Sequence, residues 1–134
     1  FNPWFGTNHK FNGLMDYFFV GNHLNSVGLL DLNATLGYQK DKFSATLVPH
    51  VFSSAATVLN SSSEKMDNGL GTELDLVVGY QWTKDVNFKA GYSQLFATET
   101  MEVLKGGNSN ATQNWAWLMI TVKPSLFKTT FNKE

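Results

Sequence analysis

Apolar and polar residues alternate with a period of two along four stretches of the chain. In Leu30–Tyr38 the even positions read Leu30, Leu32, Ala34, Leu36 and Tyr38, and the odd ones Asp31, Asn33, Thr35 and Gly37. Phe43–Val51 sets Phe43, Ala45, Leu47, Pro49 and Val51 against Ser44, Thr46, Val48 and His50. Leu74–Trp82 sets Leu74, Leu76, Val78, Tyr80 and Trp82 against Asp75, Val77, Gly79 and Gln81. Val86–Phe96 sets Val86, Phe88, Ala90 and Tyr92 against Asn87, Lys89, Gly91 and Ser93. Successive side chains leave a strand on opposite sides, so each stretch predicts a strand with one apolar and one polar face. A last strand, Trp115–Lys123, is apolar on both faces, and its pattern gives no orientation.

Pairing the stretches tests the reading. A tight turn at Lys40–Asp41 places Tyr38 opposite Phe43, Leu36 opposite Ala45, Ala34 opposite Leu47 and Leu32 opposite Pro49. On the other face Thr35 then meets Thr46, and Asp31 meets His50. A turn at Thr83–Asp85 pairs Trp82 with Val86, Tyr80 with Phe88, Val78 with Ala90 and Gln81 with Asn87. Apolar meets apolar in both hairpins, as a correct register requires. Pro49 lacks a ladder donor and predicts a bulge or an edge. The other connections are long and polar: Phe52–Leu70 is rich in Ser and Asn, and Ala97–Gln113 carries Gly106, Gly107 and Asn108. Within the latter, Thr100–Lys105 predicts one helical turn ending at the glycines. Every short turn falls at one end of the strands and every long loop at the other.

Composition narrows the class. Charged residues are 16% of the 134, against about 25% in average soluble domains, while aromatics reach 14%. No apolar run approaches the about 18 residues of a membrane-spanning helix. The ten basic residues are all Lys, nearly balanced by 11 acidic ones, so no concentrated basic face is present and nucleic acid is not an expected partner. Without Cys, disulfides and thiolate metal sites are excluded.

Alternation alone does not say whether the apolar face meets a core or lipid. Three features favour lipid. Tyr38, Phe43, Tyr80, Trp82 and Phe88 gather on the apolar face at the short-turn end, as a membrane-interface girdle would. Asp31, His50, Asp75 and Lys89 lie mid-strand on the other face. The strands run about 9–13 residues, near the about 9–11 that cross a bilayer at a tilt. Val48, Val77 and Leu95 run against this, lying on the polar face. The expected fold is all-β, an antiparallel transmembrane β-barrel with short periplasmic turns and long outer loops. About five or six strands are too few to close a membrane barrel, which needs about eight. The chain is therefore expected to be part of a larger barrel, completed by strands of the same or another chain. Residues 26–123 would carry the strands and residues 1–25 a loop or pore-inserted segment.

Candidate chemistry is sparse. His9, His23 and His50 lack metal-ligand spacing and read as hydrogen-bonding residues. Asp31 opposite His50, with Ser44, hints at a hydrolase, but no G-x-S-x-G elbow exists and Ser44 lies well down the strand. Asp67-Asn68-Gly69 reads as a turn, since the acidic ladder of a calcium loop does not follow. Neither catalysis nor a cofactor or metal is expected.

Gly6-Thr7-Asn8-His9-Lys10-Phe11-Asn12-Gly13, followed by Met15-Asp16-Tyr17, resembles the T-x-H-K-F-x-G…D signature of the alginate-export family of outer-membrane porins. Val27-Gly28-Leu29-Leu30-Asp31-Leu32 is similar to that family's G-L-x-D-L strand opening, and Asn114-Trp115-Ala116-Trp117-Leu118 to its closing segment. The resemblance implies the C-terminal portion of a large barrel in the outer membrane of a Gram-negative bacterium, passing small or polymeric polar solutes. Alginate exporters line their constriction with Arg and Lys; this chain has no Arg, and its polar face carries Asp31, Glu73 and Asp75 against Lys89. The expected pore lining is Asp31, Asn33, Thr35, Thr46, His50, Asp75, Gln81, Asn87, Lys89 and Ser93, with Asn8, His9, Lys10 and Asp16 as a gate or plug. The alternative is a soluble or surface-attached β-sandwich that binds carbohydrate or protein, with the apolar face as its core.

Overall fold

A computed structural model describes residues 9–19, 21–127 and 129; Asn8 of the expected gate lies outside them. The strands are β1 (Leu29–Asn33), β2 (Leu36–Lys40), β3 (Phe43–Ser54), β4 (Gly69–Thr83), β5 (Val86–Ala97) and β6 (Gln113–Val122), with helix α1 (Glu99–Lys105) between the last two. All pairings are antiparallel, in one sheet ordered β1-β3-β4-β5-β6, and β2 continues the line of β1 along the same side of β3. The sheet is open, with β1 and β2 at one edge and β6 at the other. Among the described residues no helix is long and apolar enough to cross a membrane, which has no bearing on crossing by strands.

The second hairpin has the expected register: Tyr80 pairs with Phe88, Val78 with Ala90 and Gln81 with Asn87. Its one departure is a register shift between Gln81 and Thr83, so that Thr83, and not Trp82, faces Val86. The first hairpin departs more. Its turn is Asp41–Lys42, closed by Lys40 opposite Phe43, so Tyr38 faces Ala45 and Leu36 faces Leu47. Asp41 adopts a left-handed φ of 51°, which a short polar side chain tolerates. The register thus slips by two residues from the expected one. A slip of two keeps every side chain on its face, and the amphipathic pattern survives.

Pro49 neither bulges nor lies at an edge. It sits on interior strand β3, paired without interruption to Leu74 of β4. On its other side Ala34 N–H donates to Pro49 O at 3.3 Å. Pro49 cannot return that bond, and the neighbouring strand breaks into β1 and β2 at Ala34–Thr35. The register shift in β3 falls instead between Phe52 and Ser53.

Helix α1 extends the expected turn by one residue. The Thr98 hydroxyl caps it by accepting from Met101 N–H, and Gly106, at φ 74°, closes it with its N–H on Glu102 O at 2.7 Å.

The two faces of the sheet differ sharply. One carries rows of apolar side chains across the strands, such as Leu36–Leu47–Leu76–Tyr92–Ala116 and Tyr38–Ala45–Val78–Ala90–Leu118. The rows are exposed or half-buried: Leu32 is 76% accessible and Leu118 73%. Among the described residues nothing is layered against them, and the strands make one sheet, not the two a sandwich needs. The other face is polar, and the described residues ahead of β1 fold across it. There Phe18 joins Phe52, Leu70, Leu95 and Met101 in a small core at the long-loop end. That core explains Leu95 on the polar face: it lies under the N-terminal segment, away from solvent.

Candidate functional site

Residues 9–19 and 21–26 form a succession of turns, not a strand. His9, Asn12, Asp16 and Asn25 take left-handed φ values of 53°, 57°, 60° and 56°, and Gly13 lies at 86°. These are the residue types that adopt this conformation most readily. The segment docks through its backbone. Leu14 N–H donates to Asp75 Oδ2 at 3.0 Å, and Met15 N–H to Glu73 Oε1 at 2.9 Å. Gly13 lies so close to Glu73 that an added Cβ would stand 2.6 Å from its carboxyl atoms. Glu73 itself has no accessible surface.

Beneath and beside this contact the polar side chains of the sheet join. His50 Nδ1 lies 2.9 Å from Asp31 Oδ1, and His50 Nε2 3.6 Å from Asp75 Oδ2. Asp31 pairs in the backbone with Phe52, and Asn33 with His50. The imidazole therefore reaches Asp31 along the diagonal, a distance that long side chains span. Ser93 Oγ donates to the Asp75 carboxylate. That hydroxyl is engaged by a carboxylate and not by the imidazole, so the cluster is no Ser–His nucleophile pair.

The expected lining residues all lie on the polar face but fall into separate groups. Asp31, Asn33, Thr35, His50 and Asp75 border a cavity of about 370 Å³ whose far wall is Lys10–Leu14. Ser93 is fully buried under the segment. Gln81, Asn87 and Lys89 border a separate hollow of about 390 Å³ near the short turns, together with Thr121 and Lys123; there Asn87 Nδ2 donates to Gln81 Oε1 at 3.0 Å. Thr46 faces Val77 across β3 and β4 and borders neither. Val48 and Val77 line the cavity under the segment, which accounts for their place on a polar face.

Of the expected gate residues, His9 and Asp16 hold each other. His9 N–H donates to Asp16 Oδ1 at 2.7 Å, His9 Nδ1 lies 3.0 Å from Asp16 Oδ2, and the imidazole stacks on Trp115 at 4.5 Å. Lys10 lies over the Phe11 ring at 5.2 Å. Further along, Tyr17 O–H donates to Gln113 Oε1 at 2.8 Å, and Lys105 Nζ donates to Asn22 O at 2.8 Å. Burial lowers the Lys105 ammonium from its usual range. His23 is lowered too, first by burial and then by nearby Lys105.

Burial, and next the Glu73 carboxylate, raise the Tyr17 phenol above its usual 10.0. The docked segment thus favours neutral Tyr17. That contribution is fully present below pH 10.0 and is lost as pH rises through the higher folded value. A nitroxide attached through Asn12→Cys should gain mobility as pH is raised from about 9 to about 12. In a Tyr17→Phe background the alkaline step should vanish, with docking weaker by about 1 kcal/mol on the neutral side of the step. An unchanged step in that background would remove Tyr17 from this role.

The aromatics of the short-turn end sit together on the apolar face. Phe43, Tyr80 and Phe88 form one row across β3, β4 and β5. Tyr38 lies 6.3 Å from Phe43, and Trp82 lies 6.4 Å from Tyr80 and 6.3 Å from Phe88. Pattern alone does not reveal the parts played by Gly13, Gly91, Trp115 and Trp117. The available signal was the crowding of small and turn-forming residues in 12–16 and the Trp-x-Trp spacing, which puts both indoles on one side of a strand. No family model, curated protein or solved structure matches the chain.

Proposed function

We propose that this chain forms part of the wall of an outer-membrane β-barrel channel of the alginate-export porin type. Its apolar face meets lipid and its polar face the lumen, and small or polymeric polar solutes cross passively. The observation that carries the reading is the apolar face, uncovered among the described residues and edged by the aromatic row at its short-turn end, on a sheet whose polar face is the covered one. A water-soluble protein folds the other way round, hiding its apolar side and wetting its polar side. From the Phe43–Tyr80–Phe88 row to the Leu32–Val51–Thr72–Phe96 row the apolar band runs along β3. At about 3.3 Å per residue that is about 26 Å, or about 20 Å once tilted by about 40°, near the about 25 Å band of membrane barrels.

The open edges at β1, β2 and β6 leave ladder groups for further strands of the same or another chain, which would close the barrel. In that setting residues 9–19 and 21–25 narrow the lumen toward the long loops. The motif that resembles the porin family supplies the docking: His9 and Asp16 clamp each other, and Gly13 permits contact with Glu73. Selectivity then follows from lumen width and lining charge. The acidic and amide lining, with no Arg in the chain, argues for polar solutes other than a polyuronate.

Fractionation of a Gram-negative host tests the reading. The protein should partition with the outer membrane and change its gel mobility on boiling in detergent, as closed barrels do. A freely soluble protein without a mobility change would sink it.

A further inference from the structure

β6 gives the polar face a feature that passive passage does not require. Trp115, Trp117 and Met119 alternate along it on the polar side, opposite Ser93, Gly91 and Lys89 of β5. The Trp117 indole lies flat on β5 at Gly91, where an added Cβ would stand 2.3 Å from the ring. Trp115 lies 6.3 Å from Trp117 and is backed by the stacked imidazole of His9, which is itself fixed by Asp16 and by Leu14 O at 2.8 Å from Nδ1. Both rings are therefore held in place by their surroundings, not by each other alone. Between them and β4 opens a cleft of about 530 Å³, lined by Leu14, Val77, Lys89 and the two indoles, within the about 300–1,000 Å³ of small-molecule sites. Lys89 is exposed, and among the described residues it forms no salt bridge.

We infer that this cleft is a solute subsite for small aromatic carboxylates, a planar ring lying on the Trp117 platform beside Trp115, which is tilted 41° to it, with its carboxylate on Lys89. The inference rests on the polar face being the lumen of a channel. Flat indoles favour offset stacking with another ring, and a lone ammonium matches one anionic group. A sugar would need hydroxyl partners around its rim, and this cleft offers apolar walls with His9 and Lys89 as its polar side chains. The platform therefore selects for an unsaturated ring over a saccharide.

The test is current block in planar bilayers by 2-naphthoate, using the assembled protein extracted from its membrane. Comparators are 2-naphthalenemethanol, decahydronaphthalene-2-carboxylate and glucuronate. Naphthoate should block at the lowest concentration. Lys89→Gln and Trp117→Leu should each raise its half-blocking concentration about tenfold while leaving heat-dependent gel mobility intact. Lys89→Gln should leave the weak block by the neutral alcohol unchanged, which separates charge pairing from stacking. A conducting channel that naphthoate does not block, or blocks no better than glucuronate, overturns the subsite and leaves the channel standing. A protein that never conducts overturns the channel reading and the subsite with it.

Discussion

Leu76→Lys should lower the stability of the membrane-assembled protein by about 2–4 kcal/mol, a roughly 30- to 1,000-fold loss in the folded-to-unfolded ratio. Leu76 lies on interior strand β4 in the row Leu36–Leu47–Leu76–Tyr92–Ala116, between the aromatic row at the short turns and the Leu32–Val51 row near the long loops. In the proposed orientation that is the middle of the hydrocarbon, where an ammonium is most costly and its stem has furthest to reach for water. Thr46→Lys, whose side chain leaves the other face of the neighbouring strand, should cost less than about 1 kcal/mol because the lumen is wet. Urea unfolding in lipid vesicles gives both values. Equal costs at the two positions would mean that the faces do not differ in environment, and the lipid assignment would fail.

The second large effect is expected at Gly13. Alanine there meets two obstacles: a φ of 86° that disfavours any Cβ, and Glu73 carboxyl atoms 2.6 Å from where that Cβ would sit. Relief requires the segment to lift, which loosens the Leu14 and Met15 bonds to Asp75 and Glu73. Strain of about 1–3 kcal/mol together with the weakened bonds to Asp75 and Glu73 gives about 2–4 kcal/mol against the docked state. Tryptic cleavage after Lys10 in detergent should then accelerate about 30- to 1,000-fold, and single-channel conductance should rise as the lumen widens. Glu73→Ala removes the carboxyl obstruction and leaves the φ penalty, so adding Gly13→Ala to that variant should cost less than in the parent, by the part that Glu73 contributes. Additive effects in the double variant would show that the two residues do not meet as described.

The strands were legible because the alternation is long and the mixed positions few; β3, β4 and β5 follow the pattern almost throughout. The second hairpin was legible in register because Tyr80 and Phe88, Val78 and Ala90 admit few other matches. The first was not, because Lys40-Asp41-Lys42 contains no glycine to fix the turn, and a slip of two costs nothing in amphipathicity. Pro49 predicted a bulge or an edge and marks neither, since its missing donor faces β1 and β2 and the break falls between them instead of in β3. β6 has no period-two signal of its own. It is oriented by Gly91, which offers Trp117 a flat seat, and by His9, which stacks on Trp115.

The docking of the N-terminal segment was the least legible part. It depends on backbone donors at Leu14 and Met15 meeting carboxylates 61 and 58 residues away, and such donors leave no side-chain signature. Val48, Val77 and Leu95 looked like violations of a wet face for the same reason. Once the segment covers them, they are the apolar floor beneath it.

The orientation of the sheet decides the account, and adjacent residues of β3 read it directly. Nitroxides attached singly through Leu47→Cys and Thr46→Cys, in the protein assembled in vesicles, should respond oppositely to two relaxing agents. The Leu47 label should be relaxed by oxygen, which concentrates in hydrocarbon, and shielded from a water-soluble nickel chelate. The Thr46 label should show the reverse. A Leu47 label reached by the nickel chelate, or shielded from both agents by a protein layer, would contradict the lipid-facing assignment and the channel built on it.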